Sequence, residues 1–359
     1  MSAPAAAIRA LGLALGFDAV GFGPAAPGPR DAFLREWLDR GYAGEMDWLA
    51  RRVDERSDPR ELLPGARSAI TVGLVYEPDE PPGDGIRIAR YAGGEDYHDV
   101  LRDRLRAFES AIEARARGPV VLRSFVDTGP VLERSVAARA GLGWIGKNTL
   151  LLNRRFGSYW FLGVILTDLD LDADTPEPDH CGDCRACLDA CPTDAFPEPY
   201  VLDATRCLSY TTIEHRSATP ESLRPGQGDR VFGCDVCQEV CPWNQRRGRE
   251  RPADPLGLRA RLAPRPEWQR ATLEWLLSLD EEAWQAATRH TALRRARYRG
   301  LVRNALVAAG NRGDPDLVPA LEAHVRGPDP MLAEVADWAL ARCTAGADRS
   351  GGSGGLARP

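Results

Sequence analysis

Eight of the nine cysteines of this 359-residue chain lie between positions 181 and 241, seven of them in two runs that each end in Cys-Pro. The first is Cys181-x-x-Cys184-x-x-Cys187-x-x-x-Cys191-Pro192, the second Cys234-x-x-Cys237-x-x-x-Cys241-Pro242, and Cys207 stands alone between them. Clustered Cys-x-x-Cys in a chain without an export signal is more often metal-binding than disulfide-bonded. The alanine-rich start, Ala3 to Gly23, is interrupted by Arg9 and lacks the basic-then-apolar order of a secretory signal. The whole chain is therefore expected to be the mature protein, in the cytoplasm. The stretch 173–250 has few long apolar runs, so it needs a metal core to fold.

The first run has the spacing that wraps three thiolates around one iron–sulfur cubane while the fourth points to a second, as in bacterial two-cluster ferredoxins. By that logic Cys181, Cys184, Cys187 and Cys241 hold one [4Fe-4S] cluster. Cys191, Cys207, Cys234 and Cys237 hold the other. Structural zinc also takes four thiolates, but a three-cysteine run followed by Cys-Pro argues against it. Two such clusters form an electron path, and the larger domain before them is expected to hold the acceptor. Cys343, in the helical stretch DWALARC, reads as a core residue.

The fold class expected is α+β, multidomain. Residues 1–172 read as a mixed α/β catalytic domain, with strands at Ala19–Phe22, Ser68–Tyr76, Val120–Val126 and Tyr159–Thr167. Helices are expected over Ile8–Leu15, Arg30–Gly41, Asp96–Arg117 and Val131–Ala140. The strand order is left open. Residues 173–250 form the ferredoxin-like domain. Residues 251–345 read as helical. There Asp314-Pro315-Asp316-Leu317 recurs as Asp329-Pro330-Met331-Leu332, and Asp at the cap with Pro at the first helical position starts a helix. That repetition suggests stacked, HEAT-like pairs, with a plain bundle as the alternative. Residues 346–359 read as a disordered tail. No uncharged apolar run is long enough to span a membrane.

The net charge of −6 does not advertise nucleic-acid binding, although a local basic surface would suffice. Lys147 is the only lysine among 46 basic residues. It could meet a cofactor or RNA phosphate, or be solvated. From Cys241 to Arg303 fourteen arginines face seven acidic residues. Arg246, Arg247, Arg249 and Arg251 form one group, and Arg294, Arg295, Arg297, Tyr298 and Arg299 another. Both suit a phosphate backbone, against the plain reading of a solvated arginine face. Trp268, Trp275 and Trp284 fall at helical spacing, which is more often core than base-stacking.

No Gly-x-Gly-x-x-Gly follows a strand, so a dinucleotide fold has no support. Asp96-Tyr97-His98-Asp99 has part of a cobalt-ligating histidine motif, but Leu101 stands where that motif has glycine. His98 therefore reads as a first-turn helix residue. More informative are VDTGPVLER (126–134) and GLGWIGKN (141–148), with Arg56 in DERSDP, Leu63-Pro64-Gly65-Ala66, Gly157-Ser158, Arg206-Cys207-Leu208-Ser209-Tyr210, Gly233-Cys234-Asp235 and Cys241-Pro242-Trp243-Asn244. In these ordered blocks, over about residues 5 to 345, the chain resembles the epoxyqueuosine reductases, cobalamin-dependent iron–sulfur enzymes of tRNA modification. The resemblance implies electrons passing from a reducing donor through two [4Fe-4S] clusters to base-off cobalamin. Its cobalt then acts on the epoxide of the modified wobble base. Asp127 is implied as proton donor and cofactor contact. Arg56, Asn148, Ser158, Leu162, Ser209 and Asp235 are implied to border the corrin. The partner implied is the tRNA anticodon arm, gripped by the helical domain, and a monomer is expected. From spacing alone, Asp127 reads equally well as a turn or cap aspartate. Rival readings are a cobalamin-dependent reductive dehalogenase and a non-enzymatic electron-transfer or RNA-binding protein.

Overall fold

The computed structural model describes residues 3–76, 85–245 and 252–350. They divide into two compact units, each assembled from three stretches of chain: Met1–Asp79, Gly94–Thr205 and Asp235–Ala263 in the first, Glu80–Gly93, Arg206–Cys234 and Pro264–Pro359 in the second. The expected ferredoxin-like stretch 173–250 is thus not a separate unit but is shared out. Among the described residues no helix is long and apolar enough to cross a membrane.

The first unit is built on a four-stranded sheet: β1 (Ala19–Pro24), β2 (Ser68–Val75), β3 (Leu122–Phe125) and β4 (Trp160–Thr167). The spatial order is β1-β2-β4-β3 and every pair is antiparallel, with Ala19 opposite Gly73, Ser68 opposite Thr167 and Leu122 opposite Thr167. All eight residues of β2 are buried. Its run SAITVGLV does not alternate because both faces are covered. On one face Val136 of the helix Glu133–Arg139 clusters with Ala69, Phe125, Val164 and Leu166. On the other lies the helix Tyr97–Glu113, which buries Val100, Leu101, Leu105, Phe108 and Ile112. A side-chain carbon at Gly163 would approach Leu105 to 3.0 Å. That helix starts where Asp96 caps the His98 amide at 3.0 Å. It ends before Arg117, because Ala114 to Ala116 close into a turn on Ser110 and Ile112.

The first unit also claims residues 252–263, where the sequence expects the helical domain to have begun. An ion pair explains it. Asp18 accepts the Val75 amide at 2.7 Å and Arg259 Nη1 at 2.8 Å, with only 4% of its side chain exposed. Nearby, Arg261 pairs with Glu95. Truncating one partner of a nearly buried pair strands the other charge. Asp18→Ala should therefore lower the unfolding free energy by about 3 kcal/mol, and adding Arg259→Met should recover most of that loss. Urea titrations of the two variants check both expectations.

The second unit centres on the helix Arg297–Arg312, whose residues from Gly300 to Gly310 are all buried, with the helices Val318–Val325 and Pro330–Ser350 beside it. The two Asp-Pro repeats act as expected. Asp314 caps Asp316, and Asp329 caps Met331 and Leu332. Cys343 is fully buried, its Sγ 3.6 Å from the Ala309 carbonyl. The last helix runs to Ser350, five residues into the expected tail; residues 351–359 lie outside the described ones.

Two arginines of this unit are core, not surface. Arg303 is fully buried and donates to the carbonyls of Thr211, His215 and Ser217. Arg224 is 2% exposed and pairs with Glu334 at 2.7 Å. Beside Arg303, Asn304 donates to Thr212 and Val231. Helix and cysteine-bearing loops are thereby tied within one unit, since Cys207 precedes the helix Leu208–Ile213 and Cys234 follows the strand Arg230–Phe232.

Candidate active site and cysteine centres

Four thiols gather in the first unit. Burial pushes the Cys187 thiol up to about 11, and the neighbouring Cys241, Cys181 and Cys184 push it the same way. Cys241 is buried against Trp144 and Leu152, with Cys181 and Trp243 packed on the same cluster. Asp179 accepts the Cys181 amide at 2.7 Å and the Tyr200 hydroxyl. The expected first ligand set is thus brought together. Among the described residues no three His, Cys, Asp or Glu side chains close on a single-ion position. A tetrahedral zinc would need its sulfurs about 4 Å apart, given Zn–S bonds of about 2.3 Å. A cubane spreads its thiolates over separate irons. A buried donor fits the larger group: Trp144 is 3% exposed and its indole N–H meets no acceptor but the Cys181 thiol, where a cluster sulfur would also accept it.

Of the second expected set, Cys191 and Cys237 belong to the first unit, Cys207 and Cys234 to the second. Cys191 Sγ accepts the Ala195 amide at 3.3 Å, and the Cys237 carbonyl accepts Asn148 Nδ2 at 3.2 Å.

Asp127 sits just past the end of β3, in the left-handed region at φ +50°. Aspartate tolerates that conformation better than branched residues do. Its side chain is 60% exposed, so burial does not desolvate it. Two groups hold it. His98 Nε2 lies 3.1 Å from its Oδ2, and Glu133 accepts its backbone N–H. His98 Nδ1 in turn meets Asp96 at 2.7 Å, completing a chain Asp96–His98–Asp127. Burial disfavours the charged imidazole, but its bonds to Asp127 and Asp96 outweigh this and push it up to about 9. Tyr97 stacks on Phe161 with ring centres 4.2 Å apart and carries His98 on its other contact at 4.1 Å. Sequence reading set His98 aside as a first-turn residue. It does occupy that turn, but it also serves Asp127. The acidic residues on either side of His98 in space were not separable from ordinary caps by spacing.

Glu133 was likewise overlooked. Burial, reinforced by the Asp127 carboxylate, pushes its carboxyl up to about 8. The sign for stability follows. Between the unfolded value of 4.5 and about 8 the folded protein holds a proton that the unfolded chain has released. Glu133 thus favours the fold most below that window and loses the contribution as pH rises through it. Glu133→Gln should match the wild-type melting temperature near pH 4.5 and exceed it progressively toward pH 8. Thermal melts across that range check the prediction.

Of the residues implied to border a corrin, Ser158 and Asp235 join one polar network. Ser158 Oγ donates to Gln238 Oε1 at 2.9 Å, and Gln238 Nε2 donates to Asp235 Oδ1 at 3.0 Å. Asn244 Nδ2 donates to Ser158 Oγ at 2.9 Å, and its Oδ1 accepts the Ser158 amide at 2.8 Å. Gly157 must be glycine here: at φ +72° its side-chain carbon would fall 2.0 Å from Asn244 Oδ1. Asn148 adjoins this network through Cys237. Gln238 and Asn244 are members that sequence reasoning did not single out, although both lie in the Cys-bearing blocks. Arg56 lies elsewhere, 7% exposed over Trp48, with an unpartnered Nε and within the fields of Glu133 and Asp127. Leu162 is half-buried against the core around Trp160. Ser209 lies in the second unit, in the helix Leu208–Ile213.

The basic group near Tyr298 is smaller than its sequence suggests. Arg295 is paired with Glu214 and Arg299 with Asp329. Tyr298 donates to the Leu279 carbonyl and packs on Trp284. Arg294 and Arg297 remain exposed. Arg246, Arg247, Arg249 and Arg251 lie outside the described residues. Trp268 and Trp284 are core, and Trp275 packs edge-on against Trp268.

An antiparallel α+β unit and a double run of cysteines define an iron–sulfur protein, and residues 180–244 match the family described as 4Fe-4S double cluster binding domain. Residues 56–128 match the family described as Epoxyqueuosine reductase QueG, DUF1730. The epoxyqueuosine reductase of Pseudomonas aeruginosa is 44% identical over 349 residues, covering 94% of each chain. That of Escherichia coli K12 is 41% identical over 344 residues, 93% of this chain and 88% of the relative. A crystal structure of epoxyqueuosine reductase with a tRNA-Tyr epoxyqueuosine-modified stem loop superposes with a TM-score of 0.83 at 31% identity, covering 94% of this chain and 89% of that one. The Streptococcus thermophilus enzyme gives 0.83 at 28%, covering 95% and 90%. The chain belongs to the epoxyqueuosine reductase family, a family of oxidoreductases.

Proposed function

We propose that the chain reduces epoxyqueuosine in tRNA to queuosine. The reaction takes two electrons and two protons, opens the epoxide, leaves a carbon–carbon double bond and releases the oxygen as water. The observation that carries the reading is Asp127, held in the open at a strand end by His98 and Glu133 in a chain that aligns along 94% of its length with such a reductase.

Asp127 Oδ2 delivers a proton to the departing oxygen. His98 Nε2 orients that carboxyl and returns a proton to it, for which an imidazole charged at neutral pH is suited. Asp96 fixes the imidazole through Nδ1. Glu133 holds the backbone of Asp127 in its unusual conformation. Two [4Fe-4S] clusters would be held, one by Cys181, Cys184, Cys187 and Cys241, the other by Cys191, Cys207, Cys234 and Cys237, and when bound they would supply one-electron carriers for an external reductant. Cobalamin would be held by Arg56, Asn148, Ser158, Leu162, Ser209, Asp235 and Asp127, together with Gln238 and Asn244. The amide and hydroxyl groups of the Ser158 network suit the propionamide rim of a corrin, and the unpartnered Arg56 Nε is a donor without an acceptor in the protein. When bound, that cofactor supplies a reducing cobalt centre that no side chain can replace. The test is turnover of epoxyqueuosine-containing tRNA by anaerobically reconstituted protein with cobalamin and a chemical reductant. Queuosine formation is expected, and its absence with clusters and cobalamin both loaded refutes the reading.

The tRNA grip should include the exposed pair Arg294 and Arg297. Reversing both to glutamate should weaken tRNA binding and flatten its salt dependence by up to about two phosphate contacts, because each neutralised phosphate releases counterions. Binding isotherms at several salt concentrations measure the slope. Reversing Arg295 instead would break its bond to Glu214 and report on folding.

A further inference from the structure

The chain's single lysine does not reach into solvent for phosphate. Lys147 Nζ donates to the carbonyls of Gly182 and Cys184, the latter at 2.9 Å. Both carbonyls belong to the loop that carries the first cysteines, and Gly182 turns through the left-handed region at φ +45°. Lys147 is itself held, since its carbonyl accepts the Tyr200 amide at 3.0 Å. Tyr200 bonds Asp179, which caps Cys181. Three residues before the lysine, the buried Trp144 packs against Cys181, with no acceptor for its indole N–H but that thiol. Both donors come from one hairpin, Trp144–Ile145 paired with Leu151–Leu152. Gly143 lets that hairpin close, because a side-chain carbon there would lie 1.9 Å from the Leu152 carbonyl.

A compact ammonium concentrates its charge on one atom, so at Lys147 a full positive charge sits directly on the loop's carbonyls, whereas a guanidinium spreads it over a plane. A cubane with four thiolates is anionic and gains one more negative charge on reduction, so nearby positive charge and N–H donors to sulfur favour the reduced form. We propose that Lys147 and Trp144 are positioning residues that clamp the first cluster's loop and raise its reduction potential. This rests on the cluster reading above.

The test uses the full chain, reconstituted anaerobically, as wild type, Lys147→Met, Lys147→Arg and Trp144→Phe. Iron content is measured first: about eight irons per wild-type chain are required by two cubanes. Abundant zinc and little iron in the wild type would overturn the cluster reading itself, and the inference with it. Reduction by dithionite is then followed by electron paramagnetic resonance at poised potentials. Each cluster accepts one electron, and dithionite supplies it by oxidation to sulfite. In Lys147→Met and Trp144→Phe the reduced-to-oxidised ratio of one cluster should fall about tenfold at a fixed potential, a shift of about 59 mV. The other cluster should be unchanged, and Lys147→Arg should restore part of the shift. Wild-type potentials in both variants, or equal shifts of both clusters, overturn the inference. If Lys147→Met loses iron, Trp144→Phe at full iron content decides alone, because it removes the N–H donor while keeping an aromatic ring in the buried site: a shift of one cluster supports the clamp, and no shift refutes it.

Discussion

Asp127→Asn is expected to lower turnover of epoxyqueuosine tRNA by a factor of about 10² or more, the usual cost of losing a positioned general acid. The substitution is close to a pure removal of the proton. Asparagine is the other residue that tolerates φ +50°, so the backbone is not strained. Its Oδ1 can still accept from His98 Nε2, and its N–H can still reach Glu133. Iron content and melting temperature should therefore stay at wild-type values while the rate falls. Asp127→Ala is a poorer probe, because it also removes the His98 contact and places a residue in the left-handed region at a cost of about 1–2 kcal/mol. Turnover of Asp127→Asn near the wild-type rate, with clusters and cobalamin bound, would show that the carboxyl is a structural turn residue after all.

Cys187→Ser should take the iron content from about eight to about four, since one cubane loses a ligand while the other keeps all of its own. The loss should also destabilise the protein. Residues 173–187 are largely exposed and contribute little core, so the cluster supplies much of what orders that loop. Thermal unfolding of Cys187→Ser should begin earlier, and chelation of iron from the wild type should reproduce the shift. Cys343→Ser is the control. That thiol is fully buried against Ala309 in the second unit, so replacing it should leave about eight irons in place while lowering stability modestly. Iron analysis of both variants would expose a misassigned ligand, as would an unchanged iron content in Cys187→Ser.

Spacing along the chain announced that Cys181, Cys184, Cys187 and Cys241 would gather, because a cubane's ligands are drawn largely from one tight loop and a distant Cys-Pro partner. The same locality made helix starts legible: Asp96, Asp314 and Asp329 cap the amides that their positions announce. Strand positions followed from buried apolar runs. Their order did not, since pairing β4 between β2 and β3 depends on which faces the helices cover. Charge was the least legible property. Arg303 and Arg224 look like surface arginines in the sequence and are core, because carbonyls and Glu334 accept hydrogen bonds from them inside the fold. Arg295 and Arg299 look free and are paired. The site shows the same division. Asp127 was nameable from its motif, but its partner His98 lies 29 positions away and Glu133 only six, and neither spacing marks a contact. A local run can specify a cap, a turn or a ligand loop. Only the tertiary fold brings a helix's first turn against a strand's end, and it is that meeting which decides which carboxyl is held and which is raised.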